Sequence, residues 1–159
     1  MNGPMPAEPK LMLDIVVSVP AWRRHMPRLA PFARKVATAA HGMAVAAGRP
    51  ALTGPVALAF ADDAAVRPLN ARFRRKDKAT NVLSFPSPAG GGDIILALET
   101  VAGEAEAQGK RFADHAAHLI AHGILHLMGY DHLSERQARP MESLERAILA
   151  RFAIADPYA

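Results

Sequence analysis

The stretch HLIAHGILHLMGYDH, residues 118–132, predicts the helix and the turn that place three histidines close together. Its apolar residues recur at helical spacing and, with those before it, predict a helix over residues 112–128. His122 and His126 are four apart, so they share a helix face about one turn apart. Gly129 stands where this helix should end, and glycine readily takes the left-handed conformation that turns the chain. That turn can bring His132 back toward the other two histidines. Three imidazoles leave the fourth position of a zinc ion open, which is typical of catalytic sites.

His118 also lies four residues before His122, but one metal ion cannot take every histidine of a straight helix. His118 and His126 are eight residues apart, on the order of 12 Å along the axis. Only the later pair is followed by a glycine turn and a third histidine. We therefore expect His118 to contact a ligand imidazole or to face the substrate, and Asp131 to orient an imidazole or to move protons.

The spacing of these histidines equals that of the long zinc-protease motif, H-E-x-x-H-x-x-G-x-x-H. In that motif the Glu after the first His serves as the general base. The corresponding residue here is Gly123, which has no side chain. The pattern therefore favours a metal site but leaves peptide hydrolysis by the usual route without its base.

The rest of the chain predicts an α/β domain of α+β-like character, with a mixed sheet of about four strands and about five helices. The predicted strands cover residues 11–19, 56–61, 81–85 and 93–98. The predicted helices cover residues 29–47, 63–73, 99–109, 112–128 and 140–152, the last one starting at Pro140 after a turn. Residues 1–10 are expected to be a flexible lead-in and residues 11–159 a single domain that carries the metal site on its histidine-bearing helix.

Composition narrows the chemistry further. The 159 residues include no cysteine, which excludes disulfides and Cys-based zinc sites. The net charge is +4 and the pI is about 9.9, which favours an anionic partner. We find no apolar run long enough to span a bilayer and no signal-peptide pattern at the N-terminus, so the cytoplasm is the expected compartment, with no membrane partner.

Three stretches of the sequence together resemble one family. They are HGILHLMGYDH at residues 122–132, LNARFRRKDKATNVLSFP at residues 69–86, and GDI at residues 92–94, which precedes Glu104 and Ala105. They are similar to the signature of the YbeY family of bacterial rRNA-maturation endoribonucleases, and the likeness covers about residues 56–149. The resemblance implies a single α/β domain, one zinc ion on His122, His126 and His132, and cleavage of single-stranded RNA. It also implies a role in maturing small-subunit ribosomal RNA and in ribosome quality control.

The match is not complete. The family's conserved arginine falls on Arg74, but Phe73 replaces the tyrosine that precedes it in the family. The helix before the first ligand commonly carries Glu in the family where this chain has His115. Pro140 interrupts the last segment in a way that is not associated with the family. None of these departures touches the predicted ligands.

A basic segment precedes the third predicted strand, with five cations within seven residues: Arg72, Arg74, Arg75, Lys76 and Lys78. Such a run is commonly a solvated loop, but beside a metal site it can follow an RNA backbone. We expect Arg74 to stabilise charge on the phosphate in the transition state and the other four to bind RNA. Together with the resemblance, these residues predict a zinc-dependent endoribonuclease, and the resemblance implies that it is specific for single strands. Two alternatives stay open: another metallohydrolase such as a peptidase, and a non-enzymatic, zinc-stabilised ribosome-assembly factor.

Overall fold

A computed structural model describes residues 10–74 and 80–159 of the chain. Its strands form one mixed sheet in the order β1-β2-β4-β3. They are β1 (Leu13–Val17), β2 (Val56–Ala61), β3 (Val82–Pro86) and β4 (Gly92–Ala97). β1, β2 and β4 run parallel, and β3 pairs antiparallel with β4 at one edge. The predicted four-stranded mixed sheet in an α/β domain is confirmed.

Six helices lie in the described part of the chain. They are α1 (Ala21–His25), α2 (Leu29–Ala46), α3 (Asp63–Arg74), α4 (Leu98–Ala107), α5 (Phe112–Leu127) and α6 (Glu135–Ala150). Five of them match the predicted helices to within a few residues at most boundaries. None of the helices in residues 10–74 and 80–159 is long and apolar enough to cross a bilayer.

The two faces of the sheet are covered differently. On β4, Ile94 and Leu96 belong to the main core, which includes the apolar residues of α2, α5 and α6. Ile95 and Ala97 point to the opposite face, where they pack in a smaller cluster that includes Val66 of α3. This alternation follows from the two-residue period of a strand. Helix α5 lies on the main-core face, where it contacts β3 and β4 of the sheet as well as α2 and α6.

One prediction about the helices is wrong, and one short helix was not predicted. The turn expected before Pro140 does not form, because α6 already begins at Glu135 and contains Pro140. Ser134 caps it by accepting a hydrogen bond from the backbone N–H of Gln137 at 3.2 Å. Pro140 is exposed and removes only one backbone donor, so the carbonyl four residues earlier can turn to water.

The short helix α1 is absent from the prediction. It spans five residues, too few for a helical repeat of apolar residues to show in the sequence. Trp22 holds it in place: the side chain is fully buried, and its indole N–H donates to the carbonyl of Ala61 at 2.7 Å. The predicted lead-in, residues 1–10, lies outside the described residues except for Lys10.

Candidate metal centre

Helix α5 carries the first two candidate ligands and packs closely on the sheet at Gly123. A Cβ atom built on Gly123 would lie 2.8 Å from Cγ2 of Ile94 and 3.3 Å from Oγ of Ser84. Any side chain at this position would therefore collide with buried residues of β3 and β4. The missing protease base thus has a steric explanation, because a Glu has no room where the helix meets the sheet.

The chain turns back after α5 in the way that Gly129 predicts. Gly129 has φ +92°, and the N–H of Tyr130 donates to the carbonyl of Leu125 at 3.0 Å. The turn returns His132 to the end of α5. The ring centroids of His132 and His122 are 5.3 Å apart, and those of His132 and His126 are 5.0 Å apart.

The three histidines fit a single metal ion. Each offers one ring nitrogen, and the three atoms lie within 4.8 Å of one another. The Nε2 atoms of His122 and His126 are 3.0 Å apart, close to the roughly 3.3 Å that two tetrahedral zinc bonds of about 2.0–2.1 Å imply. Burial, with repulsion from His122 and His132, lowers the pKa of His126 to about 4. His126 is therefore neutral at pH 7 and keeps a lone pair for a metal.

A buried carboxylate that sequence reasoning missed lies behind His122. Oε1 of Glu145 is 3.1 Å from Nδ1 of His122, and Glu145 is 0% exposed. Burial by itself would raise the pKa of Glu145, but the hydrogen bonds from His118 and His122 outweigh it and lower the pKa to about 2. The sequence holds a signal for this residue, because Glu145 lies on the buried stripe of α6 with Met141 and Ile148. A charged residue on such a stripe needs a partner inside the protein.

The other candidate residues around the ligands take different positions. Nε2 of His118 contacts Glu145 rather than the three-histidine cluster. Oδ1 of Asp131 accepts a hydrogen bond from the backbone N–H of His132 at 2.7 Å, so it orients the chain at His132. His115 is buried and pairs through Nε2 with Glu104 at 2.9 Å.

The three histidines open into a cleft of about 760 Å³, which Asp131 and Arg74 also line. Nη2 of Arg74 donates to the backbone carbonyl of Ser84 at 3.0 Å, which holds the guanidinium against β3. Arg72 does not line this cleft; its guanidinium lies 5.2 Å from the ring centroid of Phe73. The other predicted RNA-binding cations, Arg75, Lys76 and Lys78, lie outside the described residues.

Comparison with known proteins gives concordant matches. The family model described as Endoribonuclease YbeY matches residues 28–153. A protein of Agrobacterium fabrum with that name is 47% identical over 161 residues, covering 92% of this chain and 95% of the relative. One from Methylocella silvestris is 43% identical and covers 94% of this chain and 86% of the relative. A solution structure of a Thermotoga maritima protein covers 89% of this chain and 92% of its own, with 20% identity and a TM-score of 0.54, and so shares the fold.

Proposed function

The chain belongs to the YbeY family of endoribonucleases, and on that premise we propose that it is a zinc-dependent enzyme that cleaves single-stranded RNA. Its substrate is ribosomal RNA, so the reaction breaks phosphodiester bonds. We assign it to the maturation of small-subunit ribosomal RNA and to ribosome quality control in the cytoplasm, with the small subunit as its partner. The observation that carries the proposal is that three clustered histidines and an arginine line one cleft.

The histidines would hold the metal ion through one ring nitrogen each. Oε1 of Glu145 lies 3.1 Å from Nδ1 of His122, and Nε2 of His122 lies on the cleft side, 3.0 Å from Nε2 of His126. His126 is neutral at pH 7 because of its lowered pKa. A zinc ion held there would supply a Lewis acid that polarises a phosphodiester and lowers the pKa of water toward about 7.

Arg74 supplies the positive charge for the phosphate. A guanidinium presents a planar fork of N–H donors that matches two phosphate oxygens. The bond to the Ser84 carbonyl fixes one edge of the guanidinium on the wall of the cleft before substrate arrives. A group fixed in this way stabilises charge that develops in the transition state without having to reorganise.

Peptide hydrolysis is disfavoured by the same geometry. The protease base would have to stand at Gly123, where even a Cβ atom would come within 2.8 Å of Ile94. The helix face that carries a glutamate in zinc proteases is here packed against the sheet. The cleft therefore offers three histidines that could hold a metal and an arginine that could bind phosphate, but no carboxylate in the position that peptide cleavage uses.

Substrate class is tested with the zinc-loaded protein and three substrates: a labelled single-stranded RNA, the same RNA in a duplex, and a peptide library. We expect cleavage of the single strand, little of the duplex and none of the peptides. The His132→Ala variant controls for contaminating nuclease, since it should lose both zinc and cleavage. Peptide cleavage with intact RNA, or RNA cleavage that survives in His132→Ala, would contradict the proposal.

A further inference from the structure

Three polar side chains form a cluster behind His122, on the side away from the cleft, and only the central one is fully buried. Its centre is Glu145, whose Oε1 faces Nδ1 of His122. Its other oxygen, Oε2, contacts Nε2 of His118 and accepts a hydrogen bond from the hydroxyl of Tyr158 at 2.8 Å. Glu145 is fully buried and the His118 side chain is 12% exposed, whereas Tyr158 lies partly at the surface, so the carboxylate itself is shielded from water.

The chemistry of the cluster fixes the direction of each bond. An ionised carboxylate only accepts hydrogen bonds. His122 must therefore donate from Nδ1, and Tyr158 must donate its hydroxyl proton. Burial and the charge of Glu145 raise the pKa of Tyr158, so this hydroxyl stays protonated at neutral pH. A neutral His122 that carries its proton on Nδ1 presents a lone pair at Nε2, which is the nitrogen that faces His126.

Tyr158 reaches this cluster because an ion pair and hydrogen bonds hold the segment after α6 against the rest of the fold. Oδ2 of Asp156 pairs with Nε of Arg146 at 3.0 Å, and its Oδ1 accepts the backbone N–H of Tyr158 at 2.8 Å. Nζ of Lys110 donates to the carbonyl of Pro157 at 3.2 Å. The tyrosine ring then lies edge-on against the ring of His118, with their centroids 5.4 Å apart.

We propose that Glu145 and Tyr158 are positioning residues for the metal centre. Tyr158 holds the Glu145 carboxylate in place, and Glu145 fixes both the tautomer and the ring orientation of His122, so that Nε2 points into the cleft. Hydrogen bonds behind a ligand histidine commonly govern metal affinity in this way. The inference rests on the proposed metal site, but it concerns the binding of zinc and not the cleavage of RNA.

The test measures zinc affinity of the purified, metal-free chain by competition with a chromophoric chelator. Glu145→Gln removes the charge and one acceptor, and we expect zinc to bind about tenfold more weakly or worse. Tyr158→Phe removes only a hydroxyl from a side chain that is 40% exposed, so the fold should persist. We expect a smaller loss for it, about threefold, because Tyr158 acts on His122 through Glu145. Glu135→Gln is the matched control, since Glu135 is exposed and lies on the same helix. Its Oε1 pairs with Arg139 at the surface.

A second readout follows the His122 ring directly. Nitrogen-15 NMR of the metal-free chain should show the proton on Nδ1, and the Glu145→Gln variant should show a mixture of tautomers. Zinc affinity equal to that of the unchanged chain in Tyr158→Phe and Glu145→Gln would overturn the proposal. So would a second equivalent of zinc that disappears in Glu145→Gln, because His118, His122 and Glu145 would then be ligands themselves. A chain that binds zinc as expected but leaves RNA intact would refute the proposed function alone.

Discussion

Replacing Gly123 by alanine tests how closely α5 packs on the sheet. In an open helix, alanine is favoured over glycine by about 0.8–1 kcal/mol. Here the new Cβ would lie 2.8 Å from Cγ2 and 3.2 Å from Cδ1 of Ile94, and Ile94 is fully buried. Cγ2 branches directly from Cβ and cannot move away without rotating the whole side chain. Overpacking of this kind costs about 1–3 kcal/mol.

The net effect is a loss of about 1 kcal/mol of unfolding free energy, or a melting temperature about 2–4 °C lower. Gly103→Ala is the matched control, because Gly103 lies within α4 and a Cβ added there would meet no described residue outside its own turn of helix within 4 Å. That variant should gain up to about 1 kcal/mol, since helix propensity acts there alone. The difference between the two variants, on the order of 2 kcal/mol, isolates the contact with Ile94.

Urea unfolding of the metal-free proteins measures both free energies. Zinc affinity should fall in Gly123→Ala as well, because α5 must shift away from the sheet and carries His122 and His126 with it. If Gly123→Ala proves as stable as Gly103→Ala, α5 does not pack on β4 as described. The steric reason given for the absent protease base would then fail too.

Three further predictions concern the metal, the phosphate and pH. His132→Ala should lose bound zinc while His118→Ala retains it, measured as metal content per chain; the reverse result would reassign the ligands. Chelation should lower the melting temperature, because a metal that binds only the folded state stabilises it. Arg74→Ala should slow single-turnover RNA cleavage on the order of a hundredfold, and Arg74→Lys should restore part of that rate. Arg72→Ala should lose less activity. Equal small losses in both alanine variants would remove Arg74 from the mechanism. The pKa of His126 in the folded chain lies below its usual value of 6.5. Between these two pKa values the unfolded chain therefore binds a proton that the folded chain does not. The metal-free protein should then lose on the order of 2 kcal/mol of unfolding free energy as the pH falls from about 6.5 to 4. Replacing His126 by glutamine should flatten that pH dependence in urea unfolding, and an unchanged slope would count against its burial.

Most of the features predicted correctly from the sequence follow from local patterns of residues. The helical repeat of α5, the glycine at its end and the spacing of three histidines depend on residues close together in the chain. The order of the strands and their mixed directions agree with the expected class of fold, but periodicity does not specify which strands pair. The structure brings the histidines together, and their role as ligands remains a prediction for metal analysis.

One error is local, whereas the residues that sequence reasoning missed depend on contacts between distant parts of the chain. Pro140 predicts a helix start, yet the Ser134 cap and an exposed second turn allow α6 to continue through it. The support of His122 by Glu145 joins residues 23 positions apart on different helices, so no local motif contains it. Tyr158 depends in addition on the fold of the segment that follows α6.

The enclosure of α5 between the sheet and two helices has a consequence for the rate at which metal is exchanged. His122 and His126 stand on a helix that cannot open without disrupting the main core, so their positions are set before any ion arrives. Because this core contains none of the three histidines, we expect the chain, in contrast to a zinc finger, to fold without an ion. His132 is different, because it is exposed and follows a turn outside α5. We therefore expect a metal ion to bind first to His122 and His126 and then to His132. The motion of His132 should set the rate at which the ion dissociates.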